Sequence, residues 1–438
     1  MVGDDDNLLI RAENLTVFRG PQKIINEINL DLREGEIIIL NGENGCGKST
    51  LLEAMANMIP PEKGVIVQTK PLFGLTLQQN GINGDELVNE RMISSMMVSN
   101  GDPTDMDGIL EHWNILHRKS DLIAHLSFGM KRKIAVIQGL MPAYCSNSPK
   151  FCLLDEPTEG LDKDSVKLLA NDLIALASKG HGFIIATHDP RLSGIATNIC
   201  EIKEGNISNN ATEGEREYEN ILPKIKEKVS STSLAKTIWS RNISKRTKLP
   251  LLKRGLPLVT SLLIIAGLLM ELNKENIPLD LVGGLILLPG FLAALIKPAE
   301  LNYLQENRCG DWWKAMISEP IVPQTTIPEI LIVFFAPFIA SLLILDGSLP
   351  DDTIMMVICS ITILLVMYAN NAIYSLAENM PRKNSTFIPL LTLILIWPFL
   401  ITSNMIMSGE IEKSLNEIII VIVIPCIIYL IVPTLSKK

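Results

Sequence analysis

Gly42-Glu43-Asn44-Gly45-Cys46-Gly47-Lys48-Ser49-Thr50 decides the fold of this 438-residue chain. The stretch fits GxxxxGK[ST], with the apolar run Ile37 to Leu40 before it reading as a strand and Ser49 to Met58 after it reading as a helix. A strand, a Gly-rich turn and a helix in that order cradle phosphate. The glycines let successive amide N–H groups curl around phosphate oxygens, Lys48 reaches the β and γ phosphates, and the Ser49 hydroxyl can ligate magnesium. The expectation is a parallel α/β sheet carrying a nucleotide site.

Two further stretches extend that site. Phe151-Cys152-Leu153-Leu154-Asp155-Glu156 reads as a buried strand ending in two carboxylates, which suits delivery of Asp155 to a magnesium shell and of Glu156 to a water it orients and deprotonates. Leu126-Ser127-Phe128-Gly129-Met130-Lys131-Arg132-Lys133 opens a helical run, Ile134 to Met141, with Ser127 placed as its N-cap.

This last stretch resembles the signature sequence of ABC ATPases, usually LSGGQ followed by basic residues. Phe128 stands for the first glycine and Met130 for the glutamine. The resemblance implies that Ser127, Gly129 and Met130 act in trans, closing the γ-phosphate site of a second ATPase domain. Other family positions follow in order. Gln79, with Gln78 as the fallback, matches the glutamine that completes the magnesium and water shell. Gly160-Leu161-Asp162 resembles the loop that couples the two sites, with Glu159 where Ser is common. His188, after the strand Phe183 to Thr187, matches the switch histidine. Phe18 stands where an adenine-stacking aromatic is expected, core packing being the other reading. The implied cofactors are ATP and Mg2+. One such domain per chain implies two chains, as a homodimer or as a pseudo-dimer with a related half-transporter.

Outward from residue 208 the composition changes. Residues 1 to 230 carry 33 acidic and 23 basic side chains, 231 to 254 carry none and 7, and 255 to 438 carry 15 and 9. Mean hydropathy of +0.27 and a net charge of −9 describe neither half. The acidic balance argues against a nucleic-acid partner. The seven cysteines form no CxxC pair, so neither a disulfide framework nor a zinc site is written here, and the compartment reads as reducing. Met1 to Asn7 is acidic, which argues against a cleaved leader and puts the first half on the synthesis side of the membrane.

The division expected is an ATP-binding domain over 1–208, a linker and basic helix over 209–254, and an all-α membrane domain over 255–438. In 231 to 254, cations alternate with Leu234, Ile238, Trp239, Ile243 and Leu249, which suits a helix at the lipid interface or an ordinary solvated linker. Six uncharged stretches follow, at 255–270, 281–296, 330–345, 353–377, 384–409 and 418–436. Beginning the first span from inside leaves 14 Lys and Arg on the cytoplasmic side against Lys274 and Lys413 outside. That bias predicts a multi-pass protein of the cytoplasmic membrane with its ATPase domain and both termini in the cytoplasm.

The segment Lys297 to Glu329, between the second and third stretches, suits a helix that presses on the ATPase surface, or an interfacial amphipathic helix held by Trp312 and Trp313, and the two are not exclusive. The membrane half resembles ABC-2 permeases and, within them, the membrane subunit of the cytochrome c maturation haem exporter. The features that carry this are Lys297-Pro298-Ala299-Glu300, the segment leading to Ser318-Glu319-Pro320, and the Pro-containing fifth span from Phe387-Ile388-Pro389 to Trp397-Pro398-Phe399. The resemblance implies haem export or haem handling with haem-handling membrane partners. All five histidines lie at or before His188, so the membrane half offers no imidazole ligand for haem. Export of a lipid, drug or polymer, and an ATPase that remodels a membrane partner, are the other readings.

Overall fold

The structure is a computed structural model and describes residues 7–69, 72–211, 221–271, 279–317, 323–345, 347–349, 353–379, 392–408 and 411–435. Lys274, Arg382, Lys383, Lys437 and Lys438 of the charge count lie outside the described residues, as do Ser318-Glu319-Pro320 and Pro389. Two compact units emerge, Met1–Ile243 together with Tyr303–Ser318, and Ser244–Asn302 together with Glu319–Lys438.

In the first unit, β1 (Leu8–Arg19) and β2 (Gln22–Arg33) form a long antiparallel pair. β3 (Ile37–Asn41) runs into the phosphate loop and α1 (Lys48–Met55), after which β4 (Lys63–Gln68) returns to β1 and β5 (Gly74–Thr76) enters the second sheet. A helical section follows, comprising α2 (Val88–Val98), α3 (Met106–His112) and α4 (Phe128–Cys145). The chain then alternates through β6 (Phe151–Asp155), α5 (Lys163–Ala177), β7 (Gly182–Ala186), α6 (Pro190–Ser193), β8 (Asn198–Lys203) and β9 (Asn206–Ala211).

The larger sheet has the order β5-β6-β7-β3-β8-β9, parallel from β5 to β8 with β9 antiparallel at the edge. Its central strands are covered on both faces, which is why Ile37 to Leu40 and Phe151 to Leu154 are continuously apolar instead of alternating. This order brings the C-terminal ends of β3, β6 and β7 together, the position where open α/β sheets place ligands.

The inter-span segment belongs to this same unit. α7 (Thr232–Thr247) brings the fully buried Trp239 to α2, where its indole N–H donates to Glu86 at 2.7 Å. Glu86 also accepts from Arg91 at 2.7 and 2.9 Å, and the Arg91 guanidinium lies 5.1 to 5.8 Å from the rings of Trp239, Trp312 and Trp313. The three ring faces offset part of the hydration this guanidinium loses, and the Glu86 carboxylate supplies its counter-charge. Trp239, expected to face lipid or solvent, instead packs on Trp313 with ring centroids 5.4 Å apart.

The second unit is helical: α8 (Leu249–Glu271), α9 (Leu279–Ala294), the start of α10 (Ala299–Gln305), then, after α11 (Cys309–Met316) of the first unit, α12 (Ile327–Ile344), α13 (Thr353–Asn379), α14 (Ile396–Ser408) and α15 (Ile411–Leu435). Among the described residues four helical stretches are long and apolar enough to cross a membrane: Leu249–Glu271, Leu281–Met316, Ile327–Ile344 and Thr353–Leu376. Of two shorter apolar helices, Thr392–Met405 falls within the fifth expected span and Asn416–Val432 overlaps the sixth, both spans running partly outside the described residues.

Arg254, grouped by sequence with the headgroup-facing cations, is 1% exposed. Its Nε donates to Glu329 Oε1 at 2.9 Å, Nη1 to the Ala293 carbonyl at 2.7 Å and Nη2 to Asn371 Oδ1 at 3.3 Å. Glu329 in turn caps α12 by accepting from the Thr326 amide at 2.8 Å. Breaking such a pair leaves a bare buried charge, so Arg254→Met should destabilise this unit by about 3–5 kcal/mol. Thermal unfolding in detergent measures it. Glu329→Gln on the Arg254→Met background should recover part of the loss.

Candidate functional site

The phosphate loop closes on itself through backbone geometry that only glycine tolerates. At Gly42, with φ of 144°, a Cβ would stand 2.5 Å from the Ile202 carbonyl oxygen, and at Gly47, with φ of 116°, 2.9 Å from Ile25 Cδ1. Lys48 Nζ donates to the carbonyls of Gly42 at 2.7 Å and Glu43 at 3.2 Å, which turns its cation into the loop.

β6 delivers the carboxylates. Asp155 is 5% exposed and its Oδ1 accepts from the Ser49 hydroxyl at 3.1 Å. Burial pushes its carboxyl up to about 6, opposed by the Ser49 hydrogen bond and the Arg132 guanidinium. A hydroxyl beside a carboxylate with few other claims on it is a pair of hard oxygen donors, which fits Mg2+. Glu156 sits at φ 46°, a left-handed conformation uncommon outside glycine, pinned by its amide donating to Ala186 at 2.8 Å. Its Oε1 comes within 3.5 Å of His188 Nε2.

His188 follows β7 and is half exposed. Its Nε2 lies 3.1 Å from Lys48 Nζ and 3.0 Å from Asn44 Oδ1. Unprotonated, that nitrogen accepts from Lys48; protonated, it donates to Asn44, so the histidine can serve either side of the loop. Phosphate loop, Asp155, Glu156 and His188 are thus one cluster. Gln78 and Gln79 are exposed in the turn after β5, and Phe18 is 37% exposed near the end of β1, where it is open to a planar partner.

The signature residues lie together at the start of α4, against the Gly160 loop. Ser127 caps α4, accepting from the Met130 amide at 3.3 Å. A Cβ on Gly129 would stand 2.5 Å from the Gly160 carbonyl oxygen, and one on Gly160 2.5 Å from the Phe128 ring. Phe128 therefore covers the coupling loop with a ring 57% exposed, where a glycine would leave bare backbone. Asp162 caps α5 by accepting from Ser165 at 2.8 Å and lies 3.4 Å from Lys133.

Arg132, read in the sequence only as one of the basic residues after the signature, holds the two halves of the site together. Its Nη1 donates to the Leu77 carbonyl at 2.9 Å, the Gln78 carbonyl at 3.3 Å and Asn80 Oδ1 at 2.8 Å. Its Nη2 donates to the carbonyls of Asp155 and, at 2.6 Å, of Glu156. Burial pulls this guanidinium below its ordinary range against the opposing pull of the Asp155 carboxylate. The charge alternation of the helix carries no signal of these partners, which are 23 to 55 residues away.

The family profile described as ABC transporter matches residues 25–159. The chain is 32% identical to the cytochrome c biogenesis ATP-binding export protein CcmA of Gluconobacter oxydans, over 42% of this chain and 82% of the relative. It is 28% identical to the putative hemin import ATP-binding protein HrtA of Staphylococcus saprophyticus, over 42% of this chain and 90% of the relative. Among solved structures, a dimeric post-hydrolysis ATP-binding cassette bound to ADP and Pi aligns with a TM-score of 0.42 at 20% identity, covering 47% of this chain and all of the other.

Proposed function

This chain belongs to the ABC transporter ATP-binding family and is an ATP hydrolase, and from that premise we propose that it is a half-transporter of the cytoplasmic membrane, six spans fused to one ATPase, which works as a dimer. The single observation that carries this reading is the assembly of Ser49, Asp155, Glu156 and His188 around the phosphate loop in a chain that continues into apolar helices of spanning length. Bound Mg2+ would be held by Ser49 and Asp155 with Gln79 and would neutralise charge on the β and γ phosphates. Lys48 and the loop amides fix the phosphates, Glu156 takes the proton of the attacking water, and His188 holds that water and the γ-phosphate in line. Phe18 stacks on adenine. Ser127, Gly129 and Met130 of one chain close the site of the other, and Asp162 links the two sites.

The substrate we assign is haem, in cytochrome c maturation. Support comes from the permease resemblance and from relatives whose names concern cytochrome c biogenesis export and hemin. Histidine is absent from residues 255–438, so ligation would fall to membrane partners. Export of a lipid or drug fits the histidine-free membrane half equally, and a macrolide export ATP-binding/permease protein of Campylobacter fetus, 27% identical to this chain, points the same way. Remodelling of a membrane partner has an observation of its own: the segment that joins two apolar stretches packs within the ATPase unit, as a lever would.

The test is ATP-dependent haem movement across vesicles holding the purified chain. Haem accumulation that vanadate abolishes is the expected result. Haem-stimulated ATPase without haem movement would sink export and leave remodelling.

A further inference from the structure

Glu53, on α1 just beyond the phosphate-loop motif, is a buried carboxylate that the mechanism above does not use. Two guanidiniums converge on it. Arg19 Nη2 donates to Oε2 at 2.6 Å, and Arg308 Nη1 donates to Oε1 at 2.5 Å. Arg19 also carries its Nε to within 3.3 Å of Thr50 Oγ1, the last residue of the motif, and adjoins Phe18.

Arg308 reaches α1 because of an unusual backbone. Asn307 and Arg308 are consecutive non-glycine residues in the left-handed region, at φ 44° and 59°. Such geometry persists only where surrounding contacts enforce it. Three of those contacts fall on the turn that follows Gln79: Asn307 O accepts from the Gly81 amide at 3.0 Å, Asn307 Nδ2 donates to Ile82 O at 3.2 Å, and Glu306 Oε1 accepts from the Gly84 amide at 3.0 Å, while Arg308 Nε donates to Asp311 Oδ2 at 2.7 Å within its own segment. One turn of the inter-span segment therefore grips the glutamine loop with Glu306 and Asn307 and the phosphate-loop helix with Arg308.

We propose that Arg308 is a positioning residue for the ATP site, acting through Glu53 and Arg19 on Thr50, so that the 306–308 turn sets nucleotide affinity and nucleotide binding in turn tightens that turn. With Arg308 in place, Glu53 divides itself between two cations and leaves Arg19 Nε free to hold the Thr50 hydroxyl. Without it, Arg19 is the sole counter-ion of a buried carboxylate and is drawn off Thr50. Coupling of this kind is reciprocal, since each site biases the other by the same factor. The proposal rests on the reading of the phosphate loop as the ATP site and is indifferent to the transported substrate, so loss of the haem assignment leaves it standing.

The experiment is steady-state ATPase of the full chain in detergent or nanodiscs. Arg308→Gln should raise KM for ATP by roughly tenfold, within the range of ordinary intramolecular coupling, and more than it lowers kcat. Glu53→Gln should do the same, and the double variant should be no worse than the worse single one, because both remove one interaction. Arg308→Lys, which keeps the cation, should restore most of the affinity. Multiplicative effects in the double variant, or an unchanged KM in Arg308→Gln, overturn the relay. For variants that fold poorly, hydrogen exchange in the unaltered chain decides. A non-hydrolysable ATP analogue should slow amide exchange across residues 303–311, and an unchanged rate there overturns the proposal.

Discussion

Glu156→Gln is expected to keep ATP bound while turnover falls by about a hundredfold or more. The amide has the carboxylate's size and can keep the approach to His188, which is 3.5 Å away in the native chain. It cannot accept a proton. Removing a negative charge from the side of the loop proposed for the γ-phosphate would also relieve repulsion, so affinity should hold or rise while the chemical step stalls. Equilibrium binding of a fluorescent ATP analogue and phosphate release at saturating ATP separate the two effects. The stalled variant should also accumulate as ATP-bound pairs, doubling the mass seen by light scattering relative to the nucleotide-free chain. Native turnover would remove Glu156 from the proton-accepting role and leave Asp155 and His188 to be tested in its place.

Arg132→Met should cost about 3 kcal/mol of stability and on the order of a hundredfold in turnover, through two separate consequences of one loss. The stability cost arises because carbonyls of Leu77, Gln78, Asp155 and Glu156 lose a shared donor inside the protein. The loss of rate arises because the guanidinium is the strut between the glutamine turn and the carboxylate end of β6, and an error of about 1 Å in such a site can cost that much. Arg132→Lys should fall between, since a single ammonium cannot reproduce a planar fork that spans both sets of acceptors. Thermal unfolding gives the first number and ATP turnover at saturating Mg2+ gives the second. Stability lost with full turnover would make Arg132 a packing residue only.

The parts of the site that lie within one local motif were legible in the sequence, because a phosphate loop, a carboxylate-ended strand and a capped helix each encode their geometry in consecutive residues. Ser127 reads as an N-cap and is one, and the strands through Ile37, Phe151 and Phe183 lie side by side as their apolar runs require. What remained hidden depends on partners far along the chain. Arg254 reads as one more cation of a basic stretch, and nothing near it announces Glu329, 75 residues on. Trp239 next to cations reads as an interfacial anchor until the fold supplies Glu86 for its N–H and Trp313 for its ring. Arg308 is legible as a positive-inside charge, yet only the paired left-handed residues at 307 and 308 turn it toward Glu53.

The indole enclosure around Arg91 bears on how this gene can be cut. A recombinant fragment ending at the apparent domain border near residue 208 would carry all the catalytic motifs, but it would strip Arg91 and Glu86 of Trp239, Trp312 and Trp313 and open an apolar hollow to water. Here the first unit is discontinuous in sequence, and its last piece is supplied only after two apolar stretches have been synthesised. Completion of the cassette therefore waits on synthesis of those two stretches, so that an ATPase with its full set of side chains arises only on chains that already carry them.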